Sequence, residues 1–176
     1  MSSGSLPRCP GCGAVLPAVD GPTHRYIEAS PACWAMYTVL AGGGDPPLAP
    51  SPWNLLIVDA YAAQHPGQPS AQSIRSVAIH LAVLHGLVIR GVAPGNVMWL
   101  RRRVLREQPG SRRDRFEWLD PPDFAGSITV LGIAAAPTPE ARTVRAKDYV
   151  RNVWDLWAAR HGATVAAWYE RYVVPD

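Results

Sequence analysis

Apolar residues recur at the helical period along much of the chain, and proline and glycine mark where each run starts and stops. The clearest run is "SAQSIRSVAIHLAVLHGLVIRG" (70–91), in which Ile74, Val77, Ala78, Leu81, Leu84, His85 and Val88 share one face. Steps of three and four residues stack side chains on one side of a helix, so this segment predicts a helix with that face buried. Two earlier segments share a start signal. "SPACWAMYTVLAGGG" offers Ser30 as N-cap and Pro31 at the first helical position, and Gly42 to Gly44 end it. "SPWNLLIVDAYAAQHPG" repeats the signal with Ser51 and Pro52, and Pro66-Gly67 stop it. A fourth helix is expected over "PGNVMWLRRRVLRE". After the polar loop "QPGSRRDRFEWLDPPDFAG", the brief β-branched run "SITVLGIAA" (127–135) predicts a strand. A last helix opens at Thr138-Pro139-Glu140 and runs to about Tyr172, with a break expected at Gly162. Its apolar face carries Val150, Val153, Trp154, Trp157, His161, Val165 and Trp168. The expected fold is mainly α: one domain over 1–176, with an irregular metal-binding segment (1–29), a helical core (30–176) and at most one short strand or hairpin.

The irregular segment carries the strongest chemical signal, "CPGCGA" (9–14). Two cysteines two apart around a tight turn form half of a zinc site, because the turn aims backbone amides at both sulfurs. The remaining cysteine is Cys33. With Ser30 as cap it falls in the first helical turn, where the positive end of the helix dipole favours the thiolate that a metal needs. Two histidines compete for the fourth place. His24 is close in sequence. His65 ends the second helix while Cys33 starts the first, and two helices joined by a short Gly/Pro loop pack antiparallel, which puts both at one end. Either choice makes a closed site of three cysteines and one histidine, with zinc as cofactor and a structural role for it.

Composition sets bounds on partners. The chain of 176 residues is 48% hydrophobic and 18% charged, enough to bury a core. The wealth of alanine, arginine, glycine and proline is that of a GC-rich bacterial genome. The longest apolar run, 77–89, is shorter than a membrane span, and "MSSGSLPR" is no secretory signal, so a cytoplasmic protein without a membrane partner is expected. An odd cysteine count in a reducing compartment argues for metal over disulfides. The net charge of +3 comes largely from Arg101, Arg102, Arg103, Arg106, Arg112, Arg113 and Arg115. No aromatic residue interleaves with these arginines, so a solvated helix end is favoured and nucleic acid is not the expected partner.

Other polar residues suggest a second site. If the second and third helices pack, Asp59 can hold the His80 imidazole, an arrangement suited to acid–base catalysis. His85, on the apolar face, reads as a core histidine. Tyr61, Trp154, Trp157 and His161 are candidate walls of a pocket for a small molecule. No phosphate-binding glycine loop, zinc-protease or serine-hydrolase motif is present.

Taken together and in order, "CPGCGA", "ASPACWAMY", "VDAYAAQHPG", "SVAIHLAVLHGL" and "VRNVWDLWAARHGATVAAW" resemble a bacterial family known as domain of unknown function 5946. The resemblance spans about residues 8 to 170. It implies no particular activity. Members of that family vary around the position of His24 and are similar to this chain at "QHPG", which implies His65 as the ligand. Three functions then stand in order: a structural zinc protein with a pocket for a small molecule, an enzyme of specialised metabolism among the options; a catalytic zinc enzyme with an open coordination site; and a nucleic-acid module using Arg101–Arg115.

Overall fold

The computed structural model describes residues 6–42, 55–106 and 116–174. Among these residues six α-helices follow one another: α1 (Pro31–Ala41), α2 (Leu56–Gln64), α3 (Ala71–Val88), α4 (Val97–Leu105, entered through a single 3-10 turn), α5 (Val130–Ala134) and α6 (Pro139–Tyr172). The starts of α1 and α6 are those the sequence announces, and Ser70 caps α3 in the same way. Ser30 Oγ accepts from the Cys33 amide, Ser70 Oγ from the Ser73 amide and Thr138 Oγ1 from the Ala141 amide. Pro31 and Pro139 occupy first-turn positions, where the missing N–H costs nothing. The start expected at Ser51-Pro52 lies outside the described residues.

α3 is the centre of the packing. It contacts α2, α4 and α6, while α6 also covers α2 and α5. Val77, Ala78, Leu81, Leu84 and His85 are buried as their spacing predicts, whereas Ile74 and Val88 are only half-buried. α3 meets its neighbours closely at Gly86, where a Cβ would stand 2.8 Å from Tyr169 Cε2 and 2.9 Å from Leu100 Cδ1. At 18 residues α3 is also long and apolar enough to cross a membrane by length and composition, which corrects the shorter run read from the sequence. More than half of it is buried against the rest of the protein.

Two other expectations are corrected. Residues 127–135 hold no strand: Thr129 Oγ1 caps the Leu131 amide and α5 follows. Val130 and Ile133, three apart, are both fully buried, and α5 packs on α6. Helical spacing buries both branched side chains at once, and tertiary packing overrides their strand preference. The only strand-like pairing among the described residues is the isolated antiparallel bridge Arg8–Val15. Gly162 does not interrupt α6. A glycine costs a helix about 1 kcal/mol, and the burial of Trp157, Val165 and Tyr169 on either side outweighs it.

A candidate Cys3His metal centre and a neighbouring ion-paired cavity

Three segments converge on one point. The first is the N-terminal knuckle, closed by hydrogen bonds from Cys9 N to Ala14 O and from Gly13 N to Cys9 O, both 2.8 Å. Gly13 has a φ of 71°, a left-handed turn that glycine adopts without strain. The second is the first turn of α1, which supplies Cys33. The third is the C-cap of α2, His65, where Pro66 stops the helix. Cys9, Cys12, Cys33 and His65 are all buried, and their ligand atoms lie within 4.8 Å of one another.

The donor set can hold a metal ion. Cys12 Sγ stands 3.8 Å from Cys33 Sγ, and Cys33 Sγ stands 3.5 Å from His65 Nε2. A tetrahedral zinc with bonds of about 2.3 Å to sulfur and about 2.0–2.1 Å to nitrogen has edges of about 3.8 Å between sulfurs and about 3.5–3.6 Å from sulfur to nitrogen. These two of the six edges match, and the whole donor set lies within 4.8 Å.

The surroundings orient these ligands. His65 Nδ1 is 2.8 Å from the Tyr61 carbonyl, so Nδ1 carries the proton and donates it, and Nε2 turns its lone pair to the centre. The Ser30 amide points at Cys9 Sγ and the Tyr61 hydroxyl donates to Cys33 Sγ, at 3.4 and 3.5 Å. Burial and the neighbouring Cys33 raise the Tyr61 phenol far above its ordinary range, so it remains a donor. Behind His65, buried Gln64 receives the Tyr149 hydroxyl and donates to Ser127 and to the Ile128 carbonyl, and Trp157 donates to the Ala63 carbonyl. α6 thereby anchors the end of α2 that carries the ligand.

Three thiols in one buried space cannot all ionise unaided. The hydrogen bond from Cys12, then that from Cys33, holds the Cys9 thiol far below its ordinary range. Cys12 and Cys9 together, with burial, push Cys33 far above it. Cys12 is drawn down by Cys33, but Cys9 and burial oppose this and it is pushed up to about 12. A divalent cation relieves this repulsion, and its binding expels the thiol protons.

His24 is not part of the centre. Its ring packs edge-on against Tyr26 and tilted on Trp34, and its buried Nδ1 has no hydrogen-bond partner. The candidate pocket walls are also placed elsewhere. Tyr61, Trp154 and Trp157 are packed in the core, and His161 Nε2 reaches the Asp120 carbonyl at 2.8 Å. A surface cavity formed by residues 127–145 and another beside His80 are lined by none of these four.

Asp59 and His80 do meet, with His80 Nδ1 2.7 Å from Asp59 Oδ1. Asp59 is completely buried, and Arg101 grips it from α4 with Nε on Oδ1 at 3.2 Å and Nη2 on Oδ2 at 2.6 Å. This two-point grip went unseen in the sequence, where Arg101 is one arginine in a run. His80 and Arg101 line a cavity of about 370 Å³. Of the remaining basic run, Arg103 lies over the Trp99 ring and donates to the Val173 carbonyl, and Arg112, Arg113 and Arg115 lie outside the described residues.

Fold and site define a class: a helical protein whose N-terminal knuckle joins the helices through a buried Cys3His centre. The model of a family of unknown function, DUF5946, matches residues 7–158, and the chain belongs to that family. No curated protein matches it. No solved structure matches it either.

Proposed function

We propose that this chain is a small zinc protein with a structural metal, and that it acts on a small molecule in the cavity beside His80. The observation that carries the first part is the donor set: four buried protein ligands gathered within 4.8 Å of one another are enough to complete a tetrahedral zinc without water or substrate. Three thiolates also make zinc a poor Lewis acid. The zinc ties residues 9–12 to the start of α1 and the end of α2, and adds to the ring packing of Trp34 and Tyr37 on Tyr61.

Behind the cavity wall, Asp59 accepts a hydrogen bond from His80 Nδ1 and fixes the tautomer, leaving Nε2 as the basic nitrogen. Arg101 matches the buried charge of Asp59, so the imidazole can take a proton from an occupant and return it while the carboxylate stays paired. Cys3His coordination and an aspartate-held histidine thus serve separate ends, architecture and proton transfer.

The test is metal content with X-ray absorption on the wild type, His24→Ala and His65→Ala. One zinc bound by three sulfurs and one nitrogen, kept in His24→Ala and altered in His65→Ala, is expected. An exchangeable oxygen ligand in the wild type would make the metal the catalyst instead, and a metal-free protein would refute the reading.

A further inference from the structure

The chemistry of the cavity narrows what it can take. Arg75, Ser76 and His80 come from one face of α3, Arg101 and Leu105 from α4, and Tyr26 from the N-terminal segment. No aspartate or glutamate lines it. The nearby Asp59 is completely buried and already holds His80 and Arg101. One of the two guanidiniums is therefore neutralised and the other is not: among the described residues Arg75 has no carboxylate partner. Arg101 also has capacity to spare. Its Nη1 touches only the thioether of Met98, at 3.5 Å, which is a weak acceptor. Guanidinium, hydroxyl and imidazole groups thus converge on a space with uncompensated positive charge, and Ile79 and Leu105 give it an apolar wall.

We propose that this cavity binds a small organic anion, with its carboxylate or phosphate head between Arg75 and Arg101 and its apolar body against Ile79 and Leu105. Guanidinium groups match both heads through paired N–H donors. A volume of about 370 Å³ suits a molecule of metabolite size. His80 Nε2 then lies beside the head group, where a proton can pass between them. This inference rests on the reading that the cavity is the functional site. It adds the class of ligand and gives Arg75 the role of a direct contact.

The experiment titrates the zinc-loaded full chain with benzoate, phenyl phosphate and benzamide, and follows the His80 ring and arginine side chains by NMR. Benzoate or phenyl phosphate is expected to shift His80 saturably, whichever is tighter naming the head group, and benzamide to shift nothing. Arg75 is exposed, so Arg75→Gln should fold as the wild type does, and it should weaken the anion by roughly tenfold. Unchanged affinity in Arg75→Gln would overturn the placement of the head group. Equal binding of benzamide at His80 would overturn the anion class while leaving the cavity as the site. Silence of His80 toward all three would overturn the cavity reading itself, and this inference with it.

Discussion

Gly11 offers the sharpest test of how the metal centre is held. It has an ordinary backbone conformation, so alanine is excluded there by space alone. A Cβ at that position would stand 2.5 Å from His65 Cδ2 and 2.6 Å from the Glu28 carbonyl oxygen. Ordinary contact begins at 3.4 Å, so the knuckle and the imidazole must part by about 0.9 Å. Neither neighbour yields easily. Glu28 presents backbone, and the His65 ring is held by the Tyr61 carbonyl on one side and faces Cys33 Sγ at 3.5 Å on the other. A zinc site tolerates about 0.2 Å in its bond lengths. Gly11→Ala must therefore distort the Cys12–His65 geometry, and distortion of this kind weakens zinc by about 10–100-fold, or about 1.4–2.8 kcal/mol. The assay is competition for zinc with a colorimetric chelator, beside Gly95→Ala, whose Cβ would meet nothing within 4 Å. Equal zinc affinity in Gly11→Ala and wild type would refute the claim that the knuckle packs directly on the imidazole.

Further expectations follow from the packing. Gly162→Ala should raise the melting temperature by about 2–4 °C, since about 1 kcal/mol of helix propensity is gained and the new Cβ meets only Ala158 Cβ at 3.6 Å; a lowered melting temperature in a thermal scan would contradict an unbroken α6. Gly86→Ala should destabilise by about 1–3 kcal/mol in urea, because its Cβ drives into Tyr169 and Leu100. Arg101→Met should cost about 3–5 kcal/mol by leaving buried Asp59 with the His80 hydrogen bond alone, and Asp59→Leu in the same chain should recover part of the loss; independent, additive effects would show that the pair is not coupled. His85 is held below its ordinary imidazole value by burial first and by the Arg90 charge second. The unfolded chain then binds the proton more readily, so the stability from neutral His85 is present above about pH 6.5 and is lost as the pH falls below it. Denaturant melts between pH 5 and 8 should show a shallower slope in His85→Gln than in wild type.

Local chemistry accounts for what could be read from the chain. Caps and helix stops depend on a few adjacent residues, so Ser30-Pro31, Ser70 and Thr138-Pro139 mark the starts of α1, α3 and α6 where the structure has them. The buried stripe of α3 was visible in its period. Cys9, Cys12 and Cys33 stood out because a reduced chain has few other uses for such spacing. Where the local signal was weak, it misled: Gly162 and the β-branched 127–135 obey their burial against neighbouring helices, which no short window contains.

By itself, then, the sequence determined a helical chain with a cysteine knuckle and two candidate histidines, since these follow from nearest neighbours along the backbone. The sequence favours His65 over His24, and the tertiary structure decided it, because the choice depends on how α1 and α2 meet. It alone brought Arg101 to Asp59 across 42 residues and sent Trp154 and Trp157 into the core. The physical reason is the same in each case. Ligand geometry, the pairing of a buried charge and the filling of a core are settled by groups distant in sequence, and they are satisfied only when all the helices are packed at once.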